Sequence, residues 1–179
     1  MSGILIRPVR PADIDDVVDV HIASWQTAYR GQLPDKVLDG LGSSRDRRRA
    51  RWTEFLADRR QPAFLAERDG EVLGFVHVGP ARAPVDASIG ELYAIYLHPT
   101  AWDQGIGRAL LGRGEDALRE LGFGTAVLWV LESNRRAREF YGAAGWIADG
   151  ETKIEEWPDV TLHEVRYSRT LGPPDATKS

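Results

Sequence analysis

Leu97-His98-Pro99-Thr100-Ala101-Trp102-Asp103-Gln104-Gly105-Ile106-Gly107-Arg108-Ala109-Leu110-Leu111 runs from an apolar strand through a polar turn and two glycines into an amphipathic segment. Upstream, Leu92 to Leu97 reads as a strand. Downstream, Ile106, Leu110, Gly114, Ala117, Leu118 and Leu121 recur on one side of a helix expected over 105–121. The first turn of a helix leaves its N–H groups without intrahelical partners, and the helix dipole adds positive potential there. A phosphate or diphosphate suits such a place. Glycines at 105 and 107 remove side chains that would hold an anion off the main chain. The candidate main-chain donors are therefore Gln104, Gly105, Ile106, Gly107, Arg108 and Ala109. A triphosphate loop needs Lys-Ser/Thr after its last glycine, and Arg108-Ala109 follow instead. A dinucleotide fingerprint needs a third glycine where Leu110 stands. It also follows its strand at once, whereas residues 98–104 intervene here, and too little chain remains after residue 131 to finish a doubly wound sheet. Coenzyme A is the remaining diphosphate carrier, beside the plain reading of a glycine-containing helix start.

Outward from this stretch, Ile4–Val9 reads as a strand. Pro11-Ala12-Asp13 opens a helix whose Ile14, Val17, Val18, His21, Ile22 and Trp25 keep helical spacing to about Tyr29-Arg30-Gly31. A short helix is expected from Pro34 to Leu41. Ser44 is expected to cap a third helix to Ala57, with Trp52, Phe55 and Leu56 inward. Ala63–Arg68 and Val72–Val78 read as strands joined by an Asp69-Gly70 hairpin turn, followed by a loop over 80–87 containing Pro80 and Pro84. Ala126–Leu131 is a buried strand and Asn134–Ala144 a helix. Trp146–Ile154 and Thr161–Tyr167 are strands around Trp157-Pro158-Asp159. The order predicts an α/β (α+β) fold: one mixed, mostly antiparallel sheet flanked by helices, formed by a single domain over 1–171 with a flexible tail over 172–179.

A second stretch, Asn134-Arg135-Arg136-Ala137-Arg138-Glu139-Phe140-Tyr141-Gly142-Ala143-Ala144-Gly145-Trp146, resembles the GNAT superfamily of acetyl-CoA-dependent N-acetyltransferases. That family's motif is Asn, two residues, Ala, two residues, aromatic or Leu, Tyr, three residues, Gly, aromatic. Asn134, Ala137, Phe140, Tyr141, Gly145 and Trp146 fill it, and Tyr96-Leu97-His98-Pro99 with Gly105-Ile106-Gly107 fits the family's other motif. The two span about residues 91–146 in the family's order. One departure is Trp102-Asp103, where relatives often carry Arg or Gln and then Gly.

The resemblance implies that strands 91–97 and 125–131 splay apart, and that a pantetheine arm pairs with main-chain groups near Tyr96 and Leu97. It implies that Asn134 and Ala137 adjoin the arm, that Leu97 donates its amide to the oxyanion, and that Tyr141 gives a proton to the leaving thiolate. Arg135, Arg136 and Arg138 are candidates for the phosphates. A free alkylamine has a pKa of roughly 10 and needs a base. Glu91, at the head of the strand that feeds the loop, is the candidate, with Glu132 and His77 behind it. Strand parity places Glu91 with Tyr93 and Ile95 on one sheet face. Trp25, Tyr29, His77 and Tyr93 are expected to shape the acceptor pocket, and the pair Trp25/Tyr29 could hold a cation on its ring faces.

Composition sets the outer limits. The 179 residues carry a net charge of −4 at a pI of about 5.6, which argues against nucleic acid as partner and is compatible with a cationic substrate. There is no cysteine, so disulfides, thiolate metal sites and an acyl-cysteine intermediate fall away, and direct transfer in a ternary complex is expected without a metal. No apolar run reaches membrane-spanning length and the N-terminus lacks a signal-peptide pattern, so a cytoplasmic protein is expected. Five arginines between Arg45 and Arg51 read as a solvated helix face or an anion site. The resemblance implies transfer of an acetyl group from acetyl-CoA to a primary amine of a small molecule or peptide. A non-catalytic acyl-CoA sensor and a nicotinamide-dependent enzyme are the competing readings, and an edge strand near the C-terminus could pair in a homodimer.

Overall fold

Alternation of apolar side chains along the strands gives this chain two buried faces, and both are covered by helices. The computed structural model describes residues 3–82 and 85–173. The strands are β1 (Leu5–Pro8), β2 (Ala63–Arg68), β3 (Glu71–Pro80), β4 (Gly90–Leu97), β5 (Thr125–Leu131), β6 (Ile147–Trp157) and β7 (Val160–Thr170). The helices are α1 (Ile14–Ala28), α2 (Asp35–Asp39), α3 (Arg45–Ala57), α4 (Ile106–Glu120) and α5 (Arg135–Ala143). The strands form one sheet in the order β1-β2-β3-β4-β5-β7-β6, and β4–β5 is its parallel pair among antiparallel neighbours. The expected mixed, mostly antiparallel sheet is what forms. Pro84 and residues 174–179, most of the expected tail, lie outside the described residues.

Residues of opposite parity serve opposite layers. Phe64, Ala66, Val76, Val78, Leu92, Ala126, Leu128 and Val130 pack with Ile106, Leu110, Leu111 and Leu118 of α4 and Tyr141 of α5. Leu65 and Phe75 pack with Val17, Val18 and Ile22 of α1 and Trp52 of α3. The β2–β3 turn is a tight hairpin with Asp69 and Gly70 both left-handed (φ 54° and 83°), the geometry that Asp-Gly favours. Ser44 departs from expectation. Its hydroxyl donates back to the Leu41 carbonyl (2.8 Å) and accepts from Arg48 Nε (2.9 Å), so it does not cap the α3 amides.

Two irregularities of β4 prepare the site. Opposite β3 the register passes from Ala94↔His77 to Leu92↔Val78, leaving Tyr93 as an extra, bulged residue. The bulge reverses the parity. Leu92, Ile95 and Leu97 face α4, whereas Ala94 and Tyr96 face α1 and Tyr93 meets His77 on that side. Glu91 therefore keeps company with Tyr93 but not with Ile95, a correction to the simple alternation. Beside β5, pairing stops after Leu92↔Leu128, although β5 continues against β7 to Leu131↔Glu164 and β4 against β3 to Leu97↔Gly74. From there β4 and β5 splay apart.

Candidate active site

The splay opens into a cavity of about 1620 Å³ that runs between the two helical layers. Tyr96, Leu97, Val130, Leu131, Asn134, Ala137 and Tyr141 line its waist, and Gly105, Gly107 and Arg108 line one end. His98 N donates to Leu73 O (2.8 Å), which makes Leu97–Gly74 a non-hydrogen-bonded antiparallel pair. The Leu97 amide therefore turns away from β3, toward the gap.

At the loop end, Gly105 is the left-handed residue that starts α4 (φ 77°). Ala109 N already donates to Gly105 O (3.2 Å), so the first-turn amides left without intrahelical carbonyls are those of Ile106, Gly107 and Arg108. Ala109 thus drops out of the expected donor set. A Cβ at Gly107 would sit 3.5 Å from Leu97 Cδ1 and from the Phe140 ring, an ordinary contact. The protein's own packing therefore does not demand glycine there. Gln104 serves through its side chain, donating to Thr100 O (2.7 Å) and accepting from Arg68 (3.2 Å), which pins the loop. Trp102 and Asp103, the family departures, also have structural work. The Trp102 indole donates to Leu97 O (3.2 Å), Arg136 lies over its ring (4.4 Å), and Arg136 pairs with Asp103 (2.9 Å). Of the three α5 arginines, Arg136 is the one at the cavity. Arg135 pairs with Glu139 (2.7 Å), and Arg138 donates to the Glu132 carbonyl (3.0 Å).

Tyr141, on the inner side of α5, is buried against Phe140, Trp146 and Tyr167 at the waist of the cavity. Burial pushes its phenol well above the usual range, so it stays protonated at neutral pH. Asn134 is first of all a helix cap: Oδ1 accepts from Ala137 N (3.1 Å) and Nδ2 donates to the Tyr29 hydroxyl (2.9 Å). One Nδ2 proton is left for a ligand.

The Acetyltransferase (GNAT) family model matches residues 22–146. The chain belongs to the GNAT acetyltransferase family. It is 35% identical over 134 residues to the uncharacterized N-acetyltransferase YuaI of Bacillus subtilis, covering 73% of each chain. The fold is similar to the PaiA N-acetyltransferase of Thermoplasma acidophilum in complex with coenzyme A (TM-score 0.71, 18% identity, 94% of this chain and 99% of that one). It is equally similar to YncA of Salmonella typhimurium with its cofactor acetyl-CoA (TM-score 0.70, 21% identity, 97% and 98%). This chain is a GNAT-type N-acetyltransferase.

The rest of this acetyltransferase's cavity lies on the α1/α3 side. His21 stacks on Tyr96 (4.5 Å, 13°), and Trp25 stacks on Trp157 (5.5 Å, 7°) with its edge toward Tyr29 (4.9 Å). One Trp25 face is therefore covered, and the Tyr29 hydroxyl is held by Asn134. That arrangement does not resemble the open aromatic pair expected for a cation. Tyr93 donates to Pro80 O and lies beneath Arg82 (5.0 Å); burial pushes its phenol up to about 12. His77 is packed among Trp52, Phe55 and Tyr93, and burial holds it down at about 4. Glu91, 1% exposed, accepts from Arg82 N (2.8 Å) and Arg82 Nε (3.1 Å). Glu132 is exposed and apart from the cavity lining.

Sequence reasoning did not single out Arg82, whose partner stands nine residues away across a loop, nor Glu115. That buried carboxylate accepts from the Trp146 indole (2.9 Å) and faces Arg169 (3.5 Å) and Arg119 (3.9 Å) behind α5. Among the described residues no group of three or more His, Cys, Asp or Glu is placed to hold a metal, and no helix is long and apolar enough to cross a membrane.

Proposed function

We propose that this enzyme moves an acetyl group from acetyl-CoA to a primary amine of a small molecule or peptide by direct attack in a ternary complex. The observation that carries the reading is one cavity uniting three things: the α4 helix start at Gly105, Gly107 and Arg108 with its unpartnered first-turn amides, the gap-facing amide of Leu97, and the protonated phenol of Tyr141. Acetyl-CoA supplies the acetyl group as a thioester, activated toward amines. The first-turn amides of α4 hold its diphosphate, with Arg108 and Arg136 adding positive charge beside them. Ile95, Tyr96 and Leu97 offer main-chain groups to the pantetheine arm, and Asn134 its spare donor, with Ala137 leaving room. The Leu97 amide stabilises the negative charge that develops on the carbonyl oxygen, a role worth about 3–4 kcal/mol where single donors have been removed. Tyr141 donates its proton to the departing sulfur, whose thiol has a pKa of roughly 8.5.

Proton removal from the amine is assigned to Glu91, acting through water. In the resting arrangement Arg82 occupies its carboxylate, so this role requires the Arg82 side chain, itself 58% exposed, to swing aside when acceptor enters. Trp25, Tyr29, His77 and Tyr93 wall the acceptor end. A screen of amines for acetyl-CoA-dependent mass gain tests the reading. Acetylated products that vanish in Tyr141→Phe support it. Tight acetyl-CoA binding with no product across the panel would favour a sensor instead.

A further inference from the structure

We infer that the acceptor amine carries an anionic group, a carboxylate or a phosphate-type oxyanion, received by Arg48 with Arg47 and Arg51 of α3. The inference rests on the acetyltransferase reading above and narrows its acceptor class.

The five arginines of α3 divide by helix face. Arg45 pairs with Asp19, and Arg49 pairs with Asp15 (2.8 Å) and approaches Asp46 (4.0 Å). Arg47, Arg48 and Arg51 stand on the face that also carries Ser44, Trp52 and Phe55 to the cavity, the i, i+3, i+4 spacing of one helical side. None of these three has a carboxylate partner among the described residues. Arg48 is half-buried, spends Nε on Ser44 Oγ (2.9 Å) and sets one terminal nitrogen 3.3 Å from His21 Nδ1. Burial and the neighbours Arg47 and Arg51 hold it below the usual guanidinium range, and burial and Arg48 hold His21 neutral at about 3. Arg51 rests over Phe55 (5.5 Å).

Among the other lining cations, Lys36 pairs with Asp159, Lys153 with Glu164, Arg136 with Asp103 and Arg82 with Glu91 behind the wall, while Arg108, at the start of α4, donates to the Ala143 carbonyl (3.3 Å). The lining carboxylate without such a partner, Glu155, lies on β6. A partly desolvated guanidinium without a counter-ion is costly, and an anionic ligand removes that cost. Its place also fits the reaction. His21 bridges Arg48 to the Tyr96 ring, next to the Leu97 amide, so an oxyanion on Arg48 holds the acceptor beside the reacting carbonyl. A polycation would meet three like charges there instead.

The full chain is assayed with acetyl-CoA and matched amines: L-leucine against L-leucinamide, O-phosphoethanolamine against ethanolamine, and spermidine. Turnover is followed by thiol release, and equilibrium binding to CoA-loaded protein by calorimetry. The expected result is a preference of about 10-fold or more in kcat/KM for the anionic member of at least one pair, the pair itself naming the oxyanion. Arg48→Gln should lower that value about 10- to 100-fold, mainly through KM, with Arg48→Lys recovering part. The neutral partner and the acetyl-CoA affinity should stay within about twofold of wild type. Should Arg48→Gln fail to fold, Arg47→Gln/Arg51→Gln, at more exposed positions, should give the same selective loss at smaller size. Preference for leucinamide, ethanolamine or spermidine overturns the inference, as does an equal loss for both members of a pair, or failure of both anionic amines to bind. Acetylation without charge preference sinks this inference alone. Acetyl-CoA binding with no amine acetylated sinks the transfer reading beneath it.

Discussion

Gly107 separates what the fold needs from what the ligand needs, and substitution there should move the two in opposite directions. It is the second residue of α4, its φ is not left-handed, and an added Cβ meets Leu97 and Phe140 no closer than 3.5 Å. Alanine at a helical position is favoured over glycine by roughly 0.5–1 kcal/mol. Gly107→Ala should therefore raise the melting temperature by about 1–4 °C for a chain of this size. The same methyl group projects into the cleft beside the free amides. Displacing a diphosphate oxygen from one of them forfeits a charge-assisted hydrogen bond worth about 1.5–3 kcal/mol, which is roughly 10- to 100-fold in Kd. Gly107→Asp sharpens the contrast. A carboxylate in the first turn suits the helix dipole, so stability should hold, while its repulsion of the diphosphate should weaken CoA further. Calorimetric titration with CoA and thermal unfolding without it read both quantities. A CoA Kd within about threefold of wild type in both variants would refute the diphosphate seat.

Tyr141→Phe should lower kcat by about 10- to 100-fold and leave acetyl-CoA affinity nearly unchanged; equal turnover would reduce Tyr141 to packing. Glu91→Gln should lower kcat while Arg82→Ala does not; matching losses would make Glu91 a positioning partner of Arg82. His21 and His77, held at about 3 and 4 against an unfolded value near 6.5, stay neutral in the fold. The unfolded chain therefore binds more protons below that value, and stability falls as pH drops from about 6.5, by up to about 2 kcal/mol per histidine at pH 5. Denaturant titrations that are flat between pH 7 and pH 5 would contradict this burial. Glu115→Ala leaves the buried Trp146 indole and Arg169 without their acceptor, and should cost about 3 kcal/mol or more in stability, measured by the same titrations.

What the sequence disclosed was local. The glycine-bearing loop and the spacing of Ala137, Phe140, Tyr141 and Ala144 declare their elements and faces because helix geometry depends on near neighbours. What it concealed was set by pairing across the chain. The bulge at Tyr93 arises from the β3 register, so alternation along β4 alone put Ile95 on the wrong face. Asn134 was legible as a motif position, while its cap to Ala137 follows from the helix start and its bond to Tyr29 joins residues 105 positions apart. Glu115, charged amid an apolar helix face, finds its partner 31 residues on. The arginine run of α3 looked uniform. Only the packing of α3 on α1 divides paired Arg45 and Arg49 from cavity-facing Arg47, Arg48 and Arg51.

The main-chain seat for the carrier can be watched directly by amide NMR of the full chain titrated with CoA and, separately, with pantetheine, which lacks the diphosphate. Large shifts of the Ile106, Gly107 and Arg108 amides with CoA, absent with pantetheine, are the predicted result. Silent amides at these three positions while CoA saturates the protein would contradict the account.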